Sequence, residues 1–226
     1  SSEFTMLTGQ IHHFVFSAVA DSQVAGRNFP IRIEAHNQFN FPLLDYEGEI
    51  ILSASTGNGT ISATGVTIAG GSWEGQLAIT KSDTAVVLYA ADYIPAPNTH
   101  TGYSNDFSVV PELLSGLQVL LPGEKATPGV SPGKKDPALT QLAGENFTVH
   151  IRAIDPYWNL IPDQQDTLNL MVSDSFAVLT DTLNLVNGEV QVPAILRAAA
   201  KHQFAVHFQN NATIPAALSD SVQVNP

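Results

Sequence analysis

One segment of this chain occurs twice, and that repeat limits its possible folds more than any other feature. Residues 23–40, QVAGRNFPIRIEAHNQFN, return at 141–159 as QLAGENFTVHIRAIDPYWN. At a spacing of 118 the matched pairs are Gln23/Gln141, Ala25/Ala143, Gly26/Gly144, Asn28/Asn146, Phe29/Phe147, Ile33/Ile151 and Ala35/Ala153, seven identities in thirteen positions. One additional residue in the second copy then sets Asn40 against Asn159. The copies also end alike, SNDFSVVP at 104–111 and SDSVQVNP at 219–226. A long fixed period marks a module used more than once. The 226 residues therefore divide into two units, expected at 6–111 and 113–226, each of ordinary domain size.

The repeated stretch reads as a strand. Phe29, Ile31, Ile33 and Ala35 alternate with Asn28, Pro30, Arg32 and Glu34, and Phe147, Val149, Ile151 and Ala153 alternate likewise. Period two buries one face of an extended chain. Around it stand about seven short strand-like runs per unit, split by turn residues, with no sustained helical pattern. Ala194–Lys201 is rich in helix formers but aligns with the Thr80–Thr84 turn, so it reads as a turn. This is the pattern of an all-β sandwich. Gly26 and Gly144 are expected at φ > 0 where the chain enters the strand. Of Leu113 and Leu114, in the short joint 111–116, at least one is expected to pack on a domain end, since exposing both is unfavourable.

The copies differ by two insertions. The second unit carries Pro122–Ala138, PGEKATPGVSPGKKDPA, between its first strand and the repeated segment. Its proline and glycine content argues against regular structure. The first unit carries Tyr93–Tyr103, YIPAPNTHTGY. Loops that grow on one copy of a module are where specialised binding settles.

Ala143, Gly144, Ala153, Asp155, Asn159 and the closing Pro226 together resemble the pattern of bacterial Ig-like repeats in surface and secreted proteins, of the filamin and invasin types. Asn37 replaces Asp155 in the first copy, and Trp158 and Phe39 stand where the family usually has Gly before Asn. The resemblance covers both units. It implies two tandem immunoglobulin-like β-sandwich domains of a bacterial extracellular or cell-surface protein. Their implied role is non-catalytic: a spacer, presentation, docking or adhesion unit beside neighbouring domains of a longer chain, with a protein or glycan as possible ligand. The alternative is a carbohydrate-binding accessory module of a secreted polysaccharide-degrading enzyme. Exposed coplanar aromatics favour the alternative, and aromatics buried at the sandwich ends favour the spacer.

Composition narrows the partners. A net charge of −12 argues against nucleic acid, which needs a cationic footprint. No apolar run is long enough to form a transmembrane segment. The chain has no cysteine, which fits a bacterial product or a cytosolic one better than a secreted animal domain. The opening Ser1-Ser2-Glu3-Phe4 reads as a cloning remnant, so the chain is taken as a piece of a longer protein.

Candidate chemistry is sparse. No thiol, Gly-x-Ser-x-Gly elbow or Ser-x-x-Lys pattern is present to support nucleophilic catalysis, and the chain is read as not an enzyme. Asp45, Glu47 and Glu49 alternate, which would place them on one face of a strand. Asp155, Asn159, Asp163 and Asp166 supply oxygens for a calcium site, but no Asp-x-Asp-x-Asp-Gly loop accompanies them. A solvated acidic turn is the preferred reading, in which Asp155 accepts backbone N–H groups near Tyr157–Asn159 and Asp155→Asn is nearly silent. The seven histidines lack zinc spacing. His12 and His13, being adjacent, are expected on opposite faces of a strand. For binding, the candidates are the turn aromatics Tyr157 and Trp158, with Trp73, Tyr93 and Tyr103 elsewhere, and Lys125, Lys134 and Lys135 in the long insertion. Cofactors are not expected.

Overall fold

The computed structural model describes residues 9–95 and 98–226, and the chain divides into two compact units after Val110. Unit 1 contains β1 (His13–Phe16), β2 (Ser22–Val24), β3 (Phe29–His36), β4 (Gly48–Ala54), β5 (Gly65–Ile68), β6 (Ser72–Leu77), β7 (Asp83–Val86), β8 (Leu88–Asp92), β9 (Thr101–Tyr103) and β10 (Phe107–Val110). Unit 2 begins with β11 (Gly116–Leu120), β12 (Lys125–Ala126), β13 (Lys134–Lys135), β14 (Gln141–Leu142), β15 (Asn146–Ile154) and β16 (Thr167–Val172). It continues with β17 (Val178–Leu179), β18 (Thr182–Asn184), β19 (Glu189–Ile195), β20 (Lys201–His202), β21 (Phe204–Phe208), β22 (Ala217–Leu218) and β23 (Val222–Asn225). No helix occurs among the described residues, and the fold is all-β.

Both units share one topology. In unit 1 one sheet runs β1-β3-β6 and the other β5-β4-β8-β9; in unit 2 the sheets run β11-β15-β19-β17 and β18-β16-β21-β22. A short entering strand then pairs in parallel with the last strand: β2 on β10 in unit 1 and β14 on β23 in unit 2. Two sheets joined this way form an immunoglobulin-like sandwich.

The alternating strands fill the cores as their period requires. Phe29, Ile31, Ile33, Phe147, Val149 and Ile151 are all buried. Phe147 meets Phe204 of the facing sheet edge-on at 6.1 Å, and Phe29 meets Phe107 at 5.8 Å, a geometry that suits the aromatic quadrupole. Around Phe147 the core gathers Leu117, Val119, Val192, Leu168, Leu170 and Val206 from both sheets. Leu114 packs against this core, whereas Leu113 is 78% exposed. Gly26 and Gly144 have φ of 74° and 87°, as expected.

Three expectations need correction. The Pro122–Ala138 insertion is not irregular throughout, because β12 and β13 pair within it as a small antiparallel hairpin. Asp45 and Glu47 precede β4, so only Glu49 of the three lies on that strand; Glu47 instead accepts the Gly70 N–H at 2.8 Å. The copies also need no extra residue. Asn40 and Trp158 both lie in the left-handed region, at φ 62° and 60°, so Asn40 corresponds to Trp158 and the spacing of 118 continues unbroken.

Candidate functional site

The turn that leaves the repeated strand has the same bonds in both units. Asn37 N–H donates to Phe41 O at 3.0 Å and Asp155 N–H to Asn159 O at 3.1 Å. Asn40 N–H donates to Asn37 O, and Trp158 N–H to Asp155 O. Leu43 N–H returns to Ala35 O, and Ile161 N–H to Ala153 O. Gly71 and Gly188 close each turn at φ 80°, where a Cβ would run into the backbone carbonyl of Leu43 or Ile161. Glycine is the residue this approach permits.

Asp155 is the centre of the turn in unit 2. Its Oδ1 accepts N–H bonds from Tyr157 at 2.8 Å and Asn159 at 2.9 Å. Its Oδ2 accepts the backbone N–H of Glu112 at 2.9 Å and the side-chain N–H of Asn159 at 2.8 Å. Four donors converge on one buried carboxylate, which has the capacity for them. Asn37 in unit 1 reproduces only the first pair, accepting from Phe39 at 2.9 Å and Phe41 at 3.1 Å. The expectation that Asp155→Asn is silent therefore does not transfer from Asn37, because the new amide would point donors at Glu112 N–H and Asn159. Of the other calcium candidates, Asp163 is exposed and Asp166 accepts a bond from Gln164. Among the described residues no group of three or more His, Cys, Asp or Glu side chains is arranged to hold a metal ion.

The insertion lies against the same turn, and of its binding candidates Lys134 borders a cleft with Trp158. Gly129 N–H donates to Tyr157 O at 2.7 Å, and the Trp158 indole lies over Gly133, leaving no room for a Cβ there. Beneath this, Arg152 Nη1 donates to Gln118 Oε1 and Gln118 Nε2 to Gly133 O, each at 2.8 Å. Burial lowers the pKa of Arg152, against the opposing pull of Glu189. Lys134 bridges the buried Glu124 at 2.7 Å and Asp220 at 3.1 Å, and Glu124 also accepts the Leu121 N–H. Lys125 pairs with Asp136 at 3.2 Å, and Lys135 is exposed. Gln118, Pro132, Lys134, Ile154 and Trp158 border a cleft of about 180 Å³. The insertion is thus strapped over the outer face of the β11–β15 sheet. Tyr157 and Trp158 are both half-buried.

Among the described residues of unit 1 no corresponding insertion covers the turn. The turn leaves Phe39, Phe41 and Leu44 at 70%, 65% and 77% exposure. The outer-face corner bears His12, His13, Glu34 and His36, a group not anticipated from the sequence. His12 lies just before β1 and does not point away from His13: their rings meet edge-on at 5.3 Å. Adjacent residues diverge only where both lie on a strand, so strand periodicity misplaces His12. Of the remaining aromatics, Trp73 folds over Gly75, while Tyr93 and Tyr103 are exposed and Tyr103 meets Tyr89 at 5.1 Å with planes 50° apart. In the Tyr93–Tyr103 loop, Asp92 accepts N–H bonds from Ile94 and His100 and meets His100 Nδ1 at 2.6 Å. Ala96 and Pro97 of that loop lie outside the described residues.

Asp174 makes a comparable buried clamp elsewhere in unit 2, accepting N–H bonds from Phe176 at 2.9 Å, Arg197 at 2.6 Å and Ala198 at 3.0 Å. Burial alone would raise its pKa, but the Ala198, Arg197 and Phe176 bonds outweigh it and hold the pKa below the usual value.

No family model and no curated protein matches the chain. Solved structures do. The D00-D0 domain of intimin is 12% identical, with a TM-score of 0.41, over 94% of this chain and 100% of that one. The Escherichia coli adhesin FdeC is 12% identical, with a TM-score of 0.40, over 96% of this chain and 65% of that one. A Parabacteroides merdae β-glucuronidase is 11% identical, with a TM-score of 0.36, over 93% of this chain but 24% of its own. At such identity and overlap the fold rests on the strand pairing described above, not on the likeness.

Proposed function

We propose that the two units are non-catalytic Ig-like modules of a bacterial secreted or cell-surface protein, which space, present or dock neighbouring domains and contribute to adhesion. One observation carries this reading. In each unit the entering strand pairs in parallel with the last strand, Ser22–Val24 with Ser108–Val110 and Gln141–Leu142 with Val224–Asn225. Ala25 N–H to Val110 O at 2.9 Å and Ala143 N–H to Asn225 O at 2.8 Å extend the two ladders. Tension between the ends of a unit that passes beyond β1 or β11 meets these bonds lengthwise and loads them together in shear instead of opening them one at a time. That suits a spacer under load. The oxygens of Asp155 and the ammonium of Lys134, the polar groups that looked most like a site, serve the scaffold instead. No helix among the described residues is long and apolar enough to cross a membrane.

Single-molecule pulling tests the reading. Two separate unfolding events are expected, and Ala143→Pro, which removes the Asn225 bond, should lower the force of one event and spare the other. Extension without a resolvable force peak would remove the spacer role. The carbohydrate-binding alternative draws on the exposed Tyr93 and Tyr103, although Tyr103 is not coplanar with Tyr89 and both tryptophans lie against glycine backbone. Glycan-array binding lost on Tyr103→Ala would establish it.

A further inference from the structure

We propose that His12 and His13 form a two-imidazole site for a divalent transition metal ion, with Zn²⁺ the reference ligand, at the outer-face corner of unit 1. The two Nδ1 atoms face each other at 3.2 Å. Two ligands of one tetrahedral zinc, each roughly 2.0–2.1 Å from it, stand roughly 3.3 Å apart. The pair therefore already has the spacing of two nitrogens sharing an ion.

The surrounding bonds select the lone pair of His13. His36 Nδ1 lies 3.1 Å from both the backbone and the side-chain oxygen of Asn40. A carbonyl can only accept, so that nitrogen carries hydrogen, and the Asn40 side-chain atom facing it is the oxygen. The same Oδ1 lies 3.1 Å from His13 Nε2, which must therefore donate to it. In a neutral imidazole the proton on Nε2 leaves Nδ1 bare, so His13 Nδ1 accepts the His12 Nδ1–H at 3.2 Å, and a metal ion takes the place of that proton, which moves to His12 Nε2. A histidine whose far N–H is held by a fixed oxygen is the usual arrangement behind a metal ligand. Asn40 is itself held by the turn, at φ 62° with its N–H bonded to Asn37 O.

His36 is not a third ligand, since its other nitrogen lies 3.2 Å from Glu34 Oε2. The ion keeps water in its open positions, and imidazole nitrogen suits Zn²⁺, Ni²⁺ and Cu²⁺ over Ca²⁺ or Mg²⁺. The corresponding corner of unit 2 has Gly116 in place of His13 and Ile154 in place of His36, by the register of β1 on β3 and of β11 on β15. The site belongs to unit 1 alone.

Zinc titration by calorimetry, with ¹⁵N spectra of the imidazoles, tests this on the whole 226-residue chain. One Zn²⁺ per chain is expected, with the Nδ1 resonances of His12 and His13 shifting and those of His150 and His207 unmoved. His12→Ala and His13→Ala should each weaken binding at least tenfold. Asn40→Gly, which keeps the positive φ but removes the fixed oxygen, should weaken it about 10-fold or more. The spectra of the unsubstituted protein keep the test valid if a variant folds poorly. Absence of zinc heat, or zinc binding that leaves the His12 and His13 resonances in place, would overturn the proposal.

Discussion

Oδ2 of Asp155 accepts the side-chain N–H of Asn159 at 2.8 Å, in a turn where unit 1 has Asn37 and Phe41 at the same two places. Asparagine suffices in unit 1 because phenylalanine brings no second donor. In unit 2, Asp155→Asn would set an amide against Asn159 and the Glu112 N–H. A loss of about 1–3 kcal/mol is expected, the cost of stranding buried donors. Urea denaturation followed on unit 2 measures it. Millimolar calcium should leave the melting temperature of the unsubstituted protein in place; a rise that Asp155→Asn abolishes would restore the calcium reading.

The core predicts a contrast between neighbouring substitutions. Phe147→Ala should cost about 3–5 kcal/mol, because a packed aromatic leaves a cavity that the sheets cannot fully close. Leu113→Ser should stay within about 0.5 kcal/mol, since its side chain is in water. Leu114→Ser should fall between the two. Equal midpoints for Phe147→Ala and the parent would contradict the buried Phe147–Phe204 contact.

Asp174 gives unit 2 an acid sensitivity of definite sign. Its folded pKa lies below the ordinary value, so the folded state favours the ionised form. The contribution is complete above the unfolded-state pKa and is lost as pH falls through the lowered folded value. Asp174→Asn should flatten the acid limb of the stability curve for unit 2, as read by chemical denaturation at stepped pH. An unchanged acid limb would place the sensitivity elsewhere.

Gly133→Ala tests how the long insertion is held. A Cβ there collides with the Trp158 ring, and φ at this residue is 83°. About 1–3 kcal/mol of destabilisation is expected from backbone conformation alone, with a red shift of tryptophan emission as the indole is displaced. In a Trp73→Phe background the signal reports Trp158 only. An unchanged emission maximum would mean the insertion is not anchored there.

The strands were legible because burial writes itself locally: Phe29, Ile31 and Ile33 alternate as a one-sided strand must. The bonds that hold the insertion are not local. Gln118 meets Gly133, Gly129 meets Tyr157, and Lys134 meets Asp220; composition along 122–138 carries no trace of these partners. Matching the copies by residue identity sets them one residue out of register for a related reason. The left-handed position is marked by conformation, and Asn40 and Trp158 share that conformation without sharing chemistry, so residue identity drew Asn40 toward Asn159. The histidine corner was hidden because His12 lies before β1, where the strand rule no longer applies.

The unbroken spacing of 118 residues across the turn has a genetic consequence. Within 23–46 and 141–164 every shared backbone bond falls at equivalent codons, while both insertions lie outside that stretch. Recombination inside it joins the front of one unit to the back of the other without a frame or register error. A hybrid unit made this way should fold, and because the strap at 122–138 and His12–His13 both precede the stretch, it carries whichever belongs to the unit that supplies its front.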